Sequence, residues 1–315
     1  MGWVNQTDYF IERNDCPVCH SNDLQQIYAC SYQEQPIKGY LDSFFAKRGH
    51  YEDAYLTNVD YVLMKCKQCR AVYQRYIPNG DLSLKLYEEW IDPQRAMNSY
   101  HFGHSCDYYA DIAGDIALMI RSFNQRPSDL AVLDFGMGWG AWARMATAFG
   151  CNVYGLDISQ DRIEFASKFG IKVLGYDNID QYRFDIVNID NVLEHLPEPD
   201  ATVELMGKIV KPNGLVRVRV PNGGFADWIV RLINKVDLQK YTFLLGTVAP
   251  LEHINAFTIR SFDQLFGSRG FKRVHKWSLF YKRISLRGLL LSQVRFVFNL
   301  SARPFGLEVY YRKHQ

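Results

Sequence analysis

From position 130 onward the chain alternates short apolar runs with longer amphipathic stretches. Residues 130–135, 152–157, 171–175, 184–189 and 215–220 are rich in Val, Ile and Leu, the pattern of strands buried on both faces. Between them, 141–149 and 160–169 have helical patterning, and each ends at a glycine, Gly150 and Gly170. Ser159 stands where it can cap the second of these helices, and a third, over 200–210, breaks at Pro212-Asn213-Gly214. Repeated strand–helix–strand units predict an α/β fold with a mostly parallel sheet and helices on both faces. The tail from Phe271 supplies the last strands, ending at 307–311.

The first half is patterned differently. Residues 61–64 are apolar, 71–76 alternate as a strand does, and Pro78-Asn79-Gly80 is a break. Helices are expected over 81–90 and 108–123, with a second break at Arg126-Pro127-Ser128. These breaks suggest a module over 1–77, a helical linker or lid over 78–127 and a core over 128–315. The core carries an apolar, aromatic insertion at about 223–256, read as a substrate lid, with an amphipathic helix at 229–233.

Cysteine spacing adds chemistry to the first module. Cys16-Pro17-Val18-Cys19 and Cys66-Lys67-Gln68-Cys69 are two C-x-x-C turns. Each turn aims two thiolates at one point, and two turns complete a tetrahedral four-sulfur site for Zn2+. Four thiolates leave no open position, so the metal's role is structural. Lys65, Lys67 and Arg70 can offset the site's negative charge, and His20 is a spare donor beside Cys19. The gap between the turns is long and must hold strands or a helix, with a helix expected near 40–48. Cys30, Cys106 and Cys151 read as ordinary thiols.

Composition excludes several classes. The 315 residues are 48% hydrophobic and 22% charged, ordinary for a globular chain and unlike a disordered or fibrous one. No run approaches the roughly 18 apolar residues of a membrane span, and the first residues show no signal-peptide pattern. A cytoplasmic enzyme is the expectation. Net charge is +2, but residues 256–315 hold 12 Lys/Arg against 2 Asp/Glu. A basic end on a near-neutral chain suggests one phosphate-meeting face, with Arg283, Arg287, Arg295 and Arg303 as candidates, or a merely solvated surface.

The turn after the first core strand is the most informative segment. Gly136-Met137-Gly138-Trp139-Gly140 lets a ligand approach the backbone closely. Its glycine spacing also fits a loose dinucleotide fingerprint. Asp134, two residues before Gly136, tilts the choice, because a carboxylate there repels a pyrophosphate and suits a cationic amine. Asp157 ends the second strand, where it can accept from ribose hydroxyls of either ligand class.

At these residues the chain resembles the class I S-adenosylmethionine-dependent methyltransferases of the small-molecule branch. Asp134, Gly136, Gly138 and Gly140 match their first motif and Asp157 their ribose-binding acid. Phe184-Asp185-Ile186-Val187 with Asn191-Val192-Leu193-Glu194-His195-Leu196-Pro197, then Lys211-Pro212-Asn213-Gly214-Leu215, resemble later motifs, as do 251–258 and 265–271. The likeness covers roughly 129–280. The four-cysteine module is similar to that of bacterial glycan and natural-product methyltransferases, sugar methyltransferases among them. The resemblance implies a Rossmann-like core with a seven-stranded sheet and S-adenosylmethionine as cofactor. It implies Asp134, Gly136, Met137, Gly138 and Gly140 along the methionine part and Asp157 with Ile158 at the ribose. Tyr176 and Asp177 then flank the adenine, and Asp190 and Asn191 lie beside the transferring methyl. The Glu-His-Asn-x-Phe-His run of sugar C-methyltransferases is missing, which favours O- or N-methylation.

An alcohol acceptor needs its proton removed, and histidine is the usual base. His195 and His253 are the two candidates, with Glu194 and Glu252 before them as orienting groups or solvent-facing acids. His195 is otherwise read as capping the following turn or orienting a loop, and His253 as packing against Phe257. His101 and His104 lie in an aromatic stretch that roofs a pocket or packs in a core. The expected acceptor is a sugar or a glycan or natural-product precursor, including nucleotide- or lipid-linked sugars, with peripheral membrane contact left open. An RNA methyltransferase is the alternative, opposed by the slightly acidic 1–80, with 8 Lys/Arg and 9 Asp/Glu. A non-catalytic binder of the cofactor is the other.

Overall fold

The computed structural model describes residues 9–92, 95, 105–281 and 306–314. Its strands are β1 (Phe10–Glu12), β2 (Leu24–Ser31), β3 (Asp60–Cys66), β4 (Val72–Gln74), β5 (Tyr76–Pro78), β6 (Ala131–Phe135) and β7 (Asn152–Leu156). They continue as β8 (Lys172–Val173), β9 (Phe184–Asp190), β10 (Val210–Pro221), β11 (Asn255–Ala256), β12 (Phe271–Val274) and β13 (Gly306–Lys313). The helices are α1 (Ile37–Arg48), α2 (Gly80–Lys85), α3 (Cys106–Arg121), α4 (Ala141–Ala148) and α5 (Gln160–Ser167). They are followed by α6 (Pro199–Ile209), α7 (Ala226–Ile233), α8 (Ile259–Gly267) and α9 (Lys276–Tyr281). The candidates His101, His104, Arg283, Arg287, Arg295 and Arg303 lie outside the described residues.

These elements form two compact units. The first draws on 9–92, 193–200 and 220–265, and the second on 105–192, 201–219, 266–281 and 306–314.

In the first unit, β11-β4-β3-β2 form an antiparallel sheet and β1-β5 a two-stranded ribbon. The long gap between the cysteine turns is filled by β2, α1 and β3. An aromatic core that includes Tyr32, Tyr40, Phe45, Tyr61 and Trp90 packs there with Ile229, Ile233 and Leu245. The stretch read as a lid insertion thus shares this unit's core. Its far end adds β11 to the sheet, with Asn255 opposite Tyr73 and Ala256 opposite Val72. Apolar side chains from α7 bury here because the short N-terminal elements cannot enclose a core by themselves.

In the second unit the sheet order is β12-β13-β10-β9-β6-β7-β8. The pairs β6–β7, β6–β9, β7–β8 and β9–β10 are parallel and β12–β13 is antiparallel. This is the expected Rossmann-like seven-stranded sheet. Successive strands run outward from β6 in opposite directions, so the carboxyl end of β6 is a topological switch point.

Two boundaries differ from the pattern. The third core strand shrinks to Lys172–Val173 because a turn follows at once, with Asn178 Oδ1 accepting from Gly175 N at 3.1 Å. The fifth starts at Val210, and its pairing shifts between Val210 and Leu215 to accommodate Pro212-Asn213-Gly214. Among the described residues no helix is long and apolar enough to cross a membrane.

Candidate functional site

The second unit builds its candidate site on the turn from β6 to α4. Gly136, Gly138 and Gly140 have φ of +70°, +53° and +73°, in the left-handed region where a side chain is strained. A Cβ on Gly136 would sit 2.4 Å from Val192 Cγ2. The turn is pinned to β7, whose Leu156 carbonyl accepts from Gly136 N (2.8 Å) and Met137 N (2.9 Å).

Two buried acids brace it. Asp157 Oδ2 accepts from Gly138 N at 2.8 Å, and its Oδ1 accepts from Ser159 N at 3.0 Å. Ser159 stands at the N-cap of α5 but its side chain makes no capping bond, and its N–H is instead held by Asp157. Asp134 Oδ2 accepts from Ala143 N at 3.2 Å in the first turn of α4, and Oδ1 accepts from Asn188 Nδ2 at 2.8 Å. Burial pushes the Asp134 carboxyl up to about 7, against the pull of those two donors.

Next to these acids the surface turns apolar. Ile158 is 78% exposed and Tyr176 53%, and Tyr176 stands edge-on to Phe135 with ring centroids 5.9 Å apart. Burial raises the Tyr176 phenol, with the nearby Asp157 charge adding to it. Asp177 sits in the turn after β8, its Oδ1 where a Cβ on Gly175 would fall. Asp190 ends β9 and takes Arg219 Nε at 2.8 Å, and Asn191 follows with φ +53°. The expected cofactor residues of this unit therefore gather at the carboxyl ends of β6, β7, β8 and β9.

A network beneath them was not legible beforehand. Arg217 on β10 is wholly buried. It donates to Asn188 Oδ1 (2.7 Å), Asp115 Oδ2 (2.9 Å) and Glu308 Oε1, and Lys276 Nζ joins Asp115 and Glu308. The neighbouring carboxylates hold the Arg217 guanidinium charged against burial. The signal in the sequence was an Arg inside an otherwise apolar strand, Val216-Arg217-Val218.

The first unit holds two clusters. Cys16, Cys19, Cys66 and Cys69 bring their sulfurs within 4.8 Å of one another. The Cys16–Cys69 and Cys19–Cys66 separations are 3.5 and 3.6 Å. Tetrahedral Zn2+ with bonds of about 2.3 Å places sulfurs about 3.8 Å apart, so the donor set fits. Cys69 N also donates to Cys66 Sγ at 3.4 Å, the inward-turned amide of a metal knuckle. Crowding opposes ionising all four thiols together. A hydrogen bond from Cys69 lowers Cys16 to about 6, while burial pushes Cys19 up to about 11. A dication removes that conflict. Lys65 and Lys67 pair with Asp227 and Asp23, and the His20 ring lies between Asp15 (2.9 Å) and Asp200 (3.1 Å).

His195 and His253 meet with ring centroids 4.8 Å apart. His195 Nδ1 contacts the Glu252 carbonyl at 2.9 Å and the Tyr87 hydroxyl at 3.1 Å. His253 Nδ1 contacts the Gly246 carbonyl at 2.5 Å, and burial lowers this imidazole to about 4. Glu252 orients His195 through its backbone, while its own buried carboxylate faces Arg48 Nη1 at 3.3 Å. Burial raises that carboxyl. Glu194 is buried beside the pair.

Comparison with known proteins sets these features in context. A family described as a methyltransferase domain matches residues 109–276. The ubiquinone biosynthesis O-methyltransferase of Colwellia psychrerythraea is 23% identical over 142 residues, 41% of this chain and 58% of that protein. Its counterpart from Pelagibacter ubique is 25% identical over 169 residues, 50% of this chain and 70% of that one. The match thus spans 58% and 70% of the length of these two curated relatives. The solved plantazolicin methyltransferase BamL, in complex with a triazolic desmethylPZN analog and SAH, superposes with a TM-score of 0.51 at 17% identity. That superposition covers 74% of this chain and 95% of that one. It is a likeness of fold.

Proposed function

This chain belongs to the methyltransferase-domain family of class I S-adenosylmethionine-dependent methyltransferases, and on that premise we propose that it methylates a hydroxyl of a small molecule. The observation that carries the reading is the left-handed triple-glycine turn at the carboxyl end of β6, held to Asp157 through Gly138 N. Such a turn offers backbone, not side chains, to a ligand, and two acids beside it favour a cationic amine and a ribose.

S-adenosylmethionine supplies an activated methyl on a sulfonium. Gly136, Met137, Gly138 and Gly140 line its methionine part, with Asp134 close to the ammonium. Asp157, with the exposed Ile158 beside it, accepts from the ribose hydroxyls, and Tyr176 and Asp177 flank the adenine. Asp190 and Asn191 serve the methyl-bearing end. Transfer forms a C–O bond to the acceptor and breaks the C–S bond, whose electron pair stays on sulfur as a neutral thioether. The hydroxyl proton goes to the pair His195 and His253. Each Nδ1 faces a carbonyl, which only accepts, so the proton-taking nitrogen is Nε2. Cys16, Cys19, Cys66 and Cys69 hold one structural Zn2+ that ties β3 to the chain before β2.

The acceptor is a hydroxyl-bearing precursor of a glycan or natural product. The curated relatives' names, ubiquinone biosynthesis O-methyltransferases, support oxygen as the methylated atom and add precursors of a quinone as acceptors to try beside sugars. Purified protein with S-adenosylmethionine is offered nucleoside-diphosphate sugars in one arm and catechols in another, with S-adenosylhomocysteine and methylated product followed by mass spectrometry. Stoichiometric product in either arm supports the reading and selects the acceptor class. Cofactor binding without turnover in both arms overturns it in favour of a non-catalytic binder.

A further inference from the structure

We propose that Glu194, His195 and His253 bind one divalent transition-metal cation, at a site distinct from the four cysteines. One carboxylate oxygen and one nitrogen from each imidazole lie within 4.8 Å of one another. Ligands about 2.1 Å from a single ion stand about 3–4 Å apart, so the cluster closes on a cation with shifts below about 1 Å.

The second layer is that of a metal site. Metal-bound imidazoles donate their other N–H to a carbonyl or carboxylate, which fixes the tautomer and strengthens the ligand. Here His195 Nδ1 donates to the Glu252 carbonyl at 2.9 Å and His253 Nδ1 to the Gly246 carbonyl at 2.5 Å. Both imidazoles therefore present the lone pair on Nε2.

The backbone is held as firmly as the rings. Glu194 and His195 sit on one short turn, Leu193–His195. Asn255 Nδ2 grips that turn by donating to the carbonyls of Leu193 (3.1 Å) and Leu196 (2.7 Å). Asn255 is itself fixed by Arg13 Nη1 on Oδ1 at 2.7 Å, and Arg13 also reaches the Pro197 carbonyl at 3.2 Å. On the other side Gln74 Nε2 donates to the carbonyls of Ala249 (2.9 Å) and His253 (3.0 Å). A ring-and-carboxylate trio anchored from two directions, with the acid buried, holds its donors in place before an ion arrives.

Three protein ligands leave coordination positions open, unlike the closed cysteine site. The donor set, two imidazoles and one carboxylate, suits Zn2+, Mn2+ or Fe2+ rather than Ca2+. Its role rests on the hydroxyl-methylation reading: with the ion bound, an oxygen on an open position ionises more easily and its proton passes to water, whereas in the ion-free chain Nε2 takes it.

The test reads binding and does not depend on turnover. Full-length protein whose zinc content has been fixed by elemental analysis is titrated with Mn2+, and the free-ion signal is followed by electron paramagnetic resonance. One equivalent of Mn2+ is expected, with affinity falling at least about tenfold in His253→Gln and in Glu194→Gln. His253→Gln keeps side-chain volume, and circular dichroism with unchanged zinc content verifies its fold. Absence of any bound Mn2+, Co2+ or second Zn2+ overturns the proposal, as does binding that survives both substitutions. Mn2+ bound by a chain that transfers no methyl upholds this site and sinks the activity. Methyl transfer by a chain that binds no second cation does the reverse.

Discussion

Asn188 donates from Nδ2 to Asp134 Oδ1 at 2.8 Å, and on its far side accepts from Arg217 at 2.7 Å. The acid before the glycine turn is thus wired to the charge in the middle of the sheet. The donors Asn188 and Ala143 fix its carboxylate plane, so it holds the start of α4.

Arg217→Met removes a guanidinium shared by Asp115, Asp190 and Glu308. That leaves Lys276 as the partner of both Asp115 and Glu308 and Arg219 as the partner of Asp190, so a buried cluster becomes under-compensated, and we expect a loss of about 3 kcal/mol in urea denaturation. A loss below about 1 kcal/mol means that the network contributes little to the folded state.

The Asp134 carboxyl has its pKa raised from 3.8 to about 7 by burial. The folded chain then holds this proton more tightly than the unfolded one, so stability falls as pH rises from about 4 to about 7 and levels off outside that window. Asp134→Asn should flatten the slope in thermal melts taken across this range. Because a cationic ligand prefers the ionised acid, S-adenosylmethionine should bind more tightly as pH passes upward through about 7, and calorimetry on Asp134→Asn should show that dependence gone.

Gly136→Ala places a methyl at φ +70° and 2.4 Å from Val192 Cγ2. The left-handed backbone alone costs about 1–2 kcal/mol, and the clash adds to it. Pairing it with Val192→Ala should recover the clash but not the backbone cost. A single mutant as stable as the parent contradicts the turn geometry.

Asp157→Ala removes both the proposed ribose acceptor and the partner of Gly138 N. S-adenosylmethionine affinity should drop at least about tenfold, read by calorimetry. Unchanged affinity makes the ribose assignment wrong.

Cys66→Ser should abolish stoichiometric zinc and lower the melting temperature, because β3 ends on that ligand. A chain that keeps its melting temperature, with or without metal, contradicts a structural role for the four sulfurs.

Much of this was local and therefore readable along the chain. The strands β6, β7, β9 and β10 announce themselves because doubly buried strands must be apolar throughout, and the three glycines because only they tolerate the turn. The two cysteine turns were legible for the same reason, since short spacing is what brings sulfurs together. Other features arise from long-range pairing that no window contains. Val220–Leu265 joins the N-terminal segments because Asn255 and Ala256 complete their sheet and Ile229 and Ile233 their core. His195 and His253 are 58 positions apart, and only folding puts a buried acid with them. Arg217, odd inside its apolar strand, becomes intelligible once β13 and α3 deliver Glu308 and Asp115 to it. The sequence by itself determined the parallel sheet, its ligand turn and the sulfur cluster, because each is encoded by spacing. The tertiary structure alone decided which distant charges and imidazoles share a site, because their energies depend on burial and contact, which exist only after the chain has closed.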